Sequence, residues 1–275
     1  MKPFIKLPLF IAAIFSLVAA TAQKPTLEKI WETDSVLAVP ESVLFVNGTL
    51  YVSLIDGSPW EADGKGGIAK MDPDGKNIQS SWVTGLNAPK GMASSGNHLY
   101  VADLSDVVVV DLEKGSIIQK ISIENASGLN DVTVDGEGVV YVSDSRTGKI
   151  WRIENSQPKL FLEGQEGING LKAVGDKLYI GAGPLFARVD TDGKLEKIAT
   201  VTQGIDGIEP VGNGDFVLTA WPGYIWYVRK DGQVETLLET HTQKINTADI
   251  GYHPEKKIVY VPTFFAKTVA AYQLK

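Results

Sequence analysis

The stretch NDVTVDGEGVVYVSDSRTGKIWRIENSQPKLFLEG, Asn130 to Gly164, decides the fold. It contains four short runs of alternating apolar and polar residues, starting near Val132, Val139, Lys149 and Lys159. Asp, Gly, Asn and Ser separate the runs. Period-two alternation punctuated by turn residues marks four antiparallel strands in one unit. The unit recurs along the chain and can be registered on Tyr51, Tyr100, Tyr141, Tyr179, Phe216 and Tyr260, with spacings of 49, 41, 38, 37 and 44 residues. Strand repeats with a period near 40 are the signature of a β-propeller. The expected fold is all-β: a six-bladed β-propeller in one domain over residues 23–275.

The sixth copy has only three strands, Ala248 to Tyr252, Ile258 to Pro262 and Thr268 to Leu274. Its outer strand is available at the other end of the chain, in Leu27 to Thr33. Pairing the two ends would close the ring and remove its open edges. Within the copies, Asp74-Gly75, Lys114-Gly115, Asp192-Gly193 and Asp231-Gly232 read as hairpin turns of type I′, so their acidic residues are turn formers rather than ligands.

Composition narrows the function. Hydrophobic residues at 44% and charged residues at 21% are globular values and exclude a wholly disordered chain. A net charge of −7, with no concentration of Lys and Arg, argues against nucleic acid as a partner. Without cysteine there is no disulfide, thiolate nucleophile or cysteine zinc site. The three histidines, His98, His241 and His253, fit no metal spacing such as HExxH. Lys2 and Lys6, the apolar run Leu7 to Ala20 and the small-x-small triplet Ala20-Thr21-Ala22 read as a cleaved export signal over residues 1–22. The expected location is the periplasm or the exterior, with no membrane span once the signal is removed.

In a propeller the first strands line a central channel. Ten residues before each registered aromatic stand Glu41, Lys90, Asp131, Asn169 and Asp206, and Asp249 lies eleven before Tyr260. Five of these six positions are acidic or amide, with Lys90 the exception. Asn130 precedes Asp131 and is an alternative inward residue. Converging carboxylate and amide oxygens suit a hard cation such as Ca²⁺. Without a cation the carboxylates would repel one another. The alternative is a hydrogen-bonded polar plug with Lys90 as its counter-charge.

The stretches PESVLF (40–45), LNDVTVDGEG (129–138), INGL (168–171) and IDGI (205–208) resemble the regucalcin/gluconolactonase family. That resemblance implies a six-bladed propeller with one divalent metal in its channel. It implies Glu41, Asn169 and Asp206 as ligands, with Asn130 facing the site. The metal would be Ca²⁺ first, with Zn²⁺, Mg²⁺ or Mn²⁺ behind it. The implied activity is metal-dependent hydrolysis of a small-molecule substrate, a sugar lactone or related ester, with Asp206 or else Asp131 as general base. The chain departs from the animal members at Gly128, where they carry a substrate-contacting Arg.

Loops between second and third strands open on the same mouth and carry Trp60 and Glu61, Asp144 and Arg146, Trp221, and Phe264 and Phe265. Trp60, Arg146 and Trp221, with Asn130, are the expected substrate contacts, since a pocket needs aromatic faces and a few polar groups. Trp151 and Trp226 lie on third strands and read as inter-blade packing. A non-catalytic NHL-like propeller that binds a glycan, peptide or protein partner fits the same repeats. A quinone-dependent sugar dehydrogenase would want basic and histidine groups where this ring is acidic.

Overall fold

The structure, a computed structural model, describes residues 24–275. The expected export signal over residues 1–22 lies outside the described residues. Six four-stranded antiparallel sheets form the blades. Blade 1 runs from its inner strand Pro40–Val46 through Thr49–Leu54 and Gly66–Met71 to its outer strand Gln79–Leu86. The inner strands of blades 2 to 6 are Pro89–Ser95, Leu129–Val134, Ile168–Val174, Ile208–Gly212 and Gly251–His253. Second strands are buried almost throughout because both faces of each blade pack on neighbours, and outer strands are largely exposed.

The core lies between blades. Tyr51, Ile68 and Val83 of blade 1 pack on Met92, Leu99 and Val108 of blade 2. Phe186 and Val201 of blade 4 pack on Ile208, Phe216 and Trp226 of blade 5. Leu50 and Val52 of blade 1 pack on Tyr260, Val269 and Ala271 of blade 6, so the ring is closed. The closing strand is Leu27–Glu32, which pairs antiparallel with Val269–Leu274 as the outer strand of blade 6. Among the described residues no helix is long and apolar enough to cross a membrane.

The hairpin turns differ from the expected type I′. Gly75, Gly193 and Gly232 donate to the carbonyls of Asp72, Asp190 and Arg229 at 3.0, 3.0 and 2.8 Å. Only the Gly takes a left-handed φ, of 78°, 78° and 86°, while Asp74, Asp192 and Asp231 do not. Each is therefore a type I turn followed by a glycine bulge, made possible by the extra loop residues Pro73, Thr191 and Lys230. The acidic residues in these loops are turn residues, as expected.

One irregularity positions the site. In four blades the inner strand carries one extra residue at the same place, between Pro40 and Val43, Pro89 and Met92, Leu129 and Val132, and Ile168 and Leu171. Such a bulge re-aims side chains locally. Its first residue is Glu41, Lys90, Asn130 or Asn169. In blade 5, Asp206 takes the corresponding place, its N–H bonded to Thr219 O at 2.8 Å. In blade 6, Asp249 does so, its N–H bonded to Glu41 O of blade 1 at 3.0 Å.

Candidate metal and substrate site at the channel mouth

In three blades the residue after the ring position is glycine, for a steric reason. A methyl group on Gly91 would meet Asp131 Cα at 2.6 Å, one on Gly170 would meet Asp206 O at 2.1 Å, and one on Gly207 would meet Ile250 N at 2.6 Å. Glycine here lets neighbouring inner strands approach, rather than forming a turn. A hydroxyl on the second strand secures the bulge in three blades. Ser53, Ser143 and Thr219 accept from the N–H of Ser42, Asp131 and Gly207 at 2.9, 2.9 and 2.8 Å.

The ring comes together as a cluster in which Glu41, Lys90, Asn130 and Asp206 are buried and Asn169 and Asp249 half-buried. Glu41 is buried, and its Oε2 has no hydrogen-bond partner. Burial, and then the neighbouring Asp206 charge, push its pKa well above the ordinary carboxylate range. Asp206 is raised by burial to about 7, opposed by the amide of Asn169, which donates to Asp206 Oδ1 at 2.7 Å. Asp249 is raised well above the ordinary range, by burial first and then by Asp131 and Glu41, and accepts from Ser42 Oγ at 2.5 Å.

Asp131 and Asn130 divide the work in blade 3. Tyr141 pairs with Thr133, whereas Tyr51 pairs with Leu44, so the blade 3 hairpin holds one more residue than that of blade 1. Asn130, not Asp131, is therefore the counterpart of Glu41. Its Nδ2 donates to Ser145 Oγ at 3.0 Å, and that hydroxyl donates to Ile168 O at 2.6 Å. Asp131 receives its own neighbour Val132 N–H at 2.7 Å and Leu171 N–H of blade 4 at 2.6 Å. Burial raises it to about 7 against these donors.

Beneath the ring lies a narrow cavity lined by Asp131, Asp249, Lys172 and Glu209. Lys172 Nζ and Glu209 Oε1 pair at 2.7 Å. Burial works against the Lys172 charge, but Glu209, Asp249 and Asp131 outweigh it and raise its pKa. Neither residue was expected from the sequence. Both stand three positions after a ring residue, Asn169 and Asp206, and that shared offset is the signal that marks them.

The opposite side of the mouth is cationic and aromatic. Lys90 is buried and donates to Pro59 O at 2.7 Å and Ala88 O at 3.0 Å. Its Nζ lies 4.1 Å from the Trp60 ring centroid, and the Arg146 guanidinium lies 4.7 Å from the same centroid. Burial lowers the Lys90 pKa, while Glu41 and Asp103 pull it upward. A methyl group on Gly128 would meet Arg146 Cγ at 2.6 Å, so Arg146 occupies the space a residue 128 side chain would need. Asp144 is fully buried and accepts from the N–H groups of Ser127, Arg146 and Thr147 at 3.1, 3.3 and 3.2 Å, shaping the loop that carries Arg146. Trp221 sits across the mouth beside Phe264 and Phe265. Trp226 is core.

Among the described residues no three His, Cys, Asp or Glu side chains form a metal cluster by themselves. A donor set here is mixed. The unpartnered Glu41 oxygen, the Asp206 carboxylate and the Asn169 amide oxygen, whose nitrogen is committed to Asp206, are all hard oxygens and fit a cation of the Ca²⁺ type. The surface hollow lined by Lys177, Arg188, Asp190 and Glu196 lies at the far end of blade 4, where Arg188 pairs with Glu196, and has no such convergence.

No protein-family model matches the chain, and neither does any curated protein. Among solved structures it is similar to a streptogramin B lyase, with TM-score 0.65 and 13% identity over 92% of this chain and 98% of that one. It is also similar to the virginiamycin B lyase of Staphylococcus aureus, with TM-score 0.67 and 12% identity over 92% and 100% of the two chains. A nidogen/laminin complex contains a further similar chain, with TM-score 0.65 and 13% identity over 76% of this chain and 86% of that one. At these identities the likeness shows the β-propeller fold.

Proposed function

We propose that the channel mouth belongs to an exported, metal-dependent, lactonase-like hydrolase of the regucalcin/gluconolactonase type, which opens a sugar lactone or related ester. The unpartnered buried Oε2 of Glu41, in the same cluster as buried Asp206, carries this reading. A buried carboxylate oxygen without a donor calls for a cation or a proton. Glu41, Asp206 and Asn169 would hold the ion, Ca²⁺ ahead of Zn²⁺, Mg²⁺ or Mn²⁺. When bound, it supplies a Lewis acid for an ester carbonyl and its developing oxyanion.

The side chains supply the rest. Asp206 accepts a proton from water as the water oxygen bonds to the acyl carbon. The ring C–O bond then breaks, and the proton passes to the leaving alkoxide, giving a hydroxy acid. Burial raises Asp206 as a base, a bound cation draws it back down, and its position must make up the difference. Asp131 ranks behind it because both its oxygens already accept backbone N–H groups. Asn130, Trp60, Arg146 and Trp221 orient the substrate around the mouth.

The fold neighbours lend this reading support, since two of the three are described as lyases, enzymes on the same propeller. A propeller that binds a glycan, peptide or protein is the second reading, favoured by Phe265, which is 64% exposed at the same rim. A lactone panel with and without chelator tests the proposal. Chelator-sensitive ring opening supports the hydrolase, and a metal-binding protein without turnover supports the binding propeller.

A further inference from the structure

Trp221, Phe264 and Phe265 form an aromatic shelf on the blade 5 and blade 6 side of the mouth. Trp221 meets Phe264 edge to face at 5.5 Å and Phe265 at 5.9 Å, and the two phenyl rings are 4.8 Å apart at 90°. Phe264 is buried with Ile55, Ala88 and Ala248. Trp221 is 41% exposed, Phe265 64% and Val36 57%. Val36 extends the shelf, because its neighbours Ser35 and Leu37 bond to Ala266 O at 2.8 Å and Lys267 O at 3.1 Å.

The shelf adjoins the carboxylate ring through neighbouring residues. Trp221 lies two residues, about 7 Å along the strand, beyond Thr219, whose backbone pairs with Asp206 and Gly207. Ala248, in contact with the Phe264 cluster, adjoins Asp249. The backbone is strained to present the shelf. Phe264 has a φ of 51°, which a bulky side chain rarely adopts. Thr263 and Thr268 hold it there, with Thr263 Oγ1 donating to Thr268 O at 2.9 Å and accepting Thr268 N–H at 3.0 Å.

Three polar side chains beside the shelf are already engaged. Asn246 Nδ2 donates to Trp221 O at 2.9 Å, Thr247 Oγ1 to Ala220 O at 2.9 Å, and Thr240 Oγ1 to Ile245 O at 2.8 Å. A polyol lying on this side would lose water and gain few partners, whereas an apolar group gains burial.

We infer that the shelf seats a hydrophobic arm of the substrate, so the favoured class is a lactone bearing an alkyl or aryl substituent rather than a polyhydroxylated sugar lactone. This rests on the proposed hydrolase reading of the mouth. The test compares γ-decanolactone, unsubstituted γ-butyrolactone and gluconolactone on the wild type and on the double variant Val36→Ser/Phe265→Ser, which leaves Trp221 in place. The expected result is a higher kcat/KM for γ-decanolactone than for gluconolactone. In the double variant its KM should rise about tenfold with kcat within about twofold, and γ-butyrolactone should be unaffected. Calorimetry with γ-decalactam, a hydrolysis-resistant analogue, separates the two ideas. If no lactone turns over but the lactam binds and loses about tenfold affinity in the double variant, the shelf stands and the hydrolase reading falls. Preference for gluconolactone overturns the inference, as do a lactam affinity and a KM that ignore the double variant. A shelf that only mediates dimerisation, lost in the double variant without lactam binding, overturns it too.

Discussion

Asn169 Nδ2 donates to Asp206 Oδ1 at 2.7 Å across the boundary between blades 4 and 5. That bond orients the amide, leaving the Asn169 carbonyl oxygen and one Asp206 oxygen for a ligand. It also ties together two residues that stand 37 positions apart, one repeat in sequence. The site is thus a product of the repeat, with each blade contributing one side chain from the corresponding position at the start of its inner strand.

The first prediction concerns the ion. Ca²⁺ added to chelator-treated protein should raise its Tm, because a ligand that binds only the folded state stabilises it. At one hundred times the Kd this amounts to about 2.7 kcal/mol, or roughly 5–10 °C for a chain of this size. Absence of any shift with Ca²⁺, Mg²⁺, Mn²⁺ or Zn²⁺ would leave the cluster as a hydrogen-bonded plug.

pH should modulate that shift. Asp131 and Asp206 sit at about 7 in the fold against an ordinary 3.8. The folded chain holds protons that the unfolded chain has released, so the stability these groups contribute is fully present below 3.8 and lost as pH rises through about 7. Cation binding requires the deprotonated form and should offset the loss. The Ca²⁺-induced rise in Tm should be larger at about pH 8 than at about pH 5. An equal rise at both would separate the cation from these carboxylates.

Lys172 is the counter-charge beneath the ring. Lys172→Met leaves Glu209, Asp131 and Asp249 without it and should cost about 1–3 kcal/mol in denaturant unfolding. Adding Glu209→Leu should recover part of that loss, because the part-buried pair is then removed together. A double variant no better than the single would show that the two residues act independently.

Much of this was legible in the sequence. The Tyr-Val strands and the three-strand last copy point to six blades and a closing N-terminal strand because alternation and turn residues are local signals. The ring residues were legible because in four of the six blades they stand ten residues before the registered aromatic. The count slipped by one at Asp131 because the blade 3 hairpin is a residue longer, a difference that only the register of Tyr141 against Thr133 reveals. The turn type was missed because Pro73, Thr191 and Lys230 enter the loops and convert type I′ to type I with a glycine bulge. The Lys172–Glu209 pair depends on contacts across the channel, which no single repeat encodes.

Ring closure has its own test. Thr26 and Lys275 exchange backbone hydrogen bonds at 3.1 and 3.0 Å, and Trp31 packs against Tyr260 at 5.9 Å. Deleting residues 24–34 removes the outer strand of blade 6 and uncovers the edge of strand Val269–Leu274. The Tm should fall by about 10 °C or more. An unchanged denaturant midpoint would mean that the strand is dispensable.

Catalysis at Asp206 is the central claim, and paired substitutions test it most directly. Asp206→Asn keeps the size and one oxygen but removes the charge that would hold the cation and accept the proton. Asp192→Asn alters an exposed turn carboxylate in blade 4, far from the mouth. On a lactone that the wild type opens, Asp206→Asn should lose about 10²–10⁴-fold in kcat/KM while keeping its fold, and Asp192→Asn should match the wild type. Equal activity of the two variants would contradict the account.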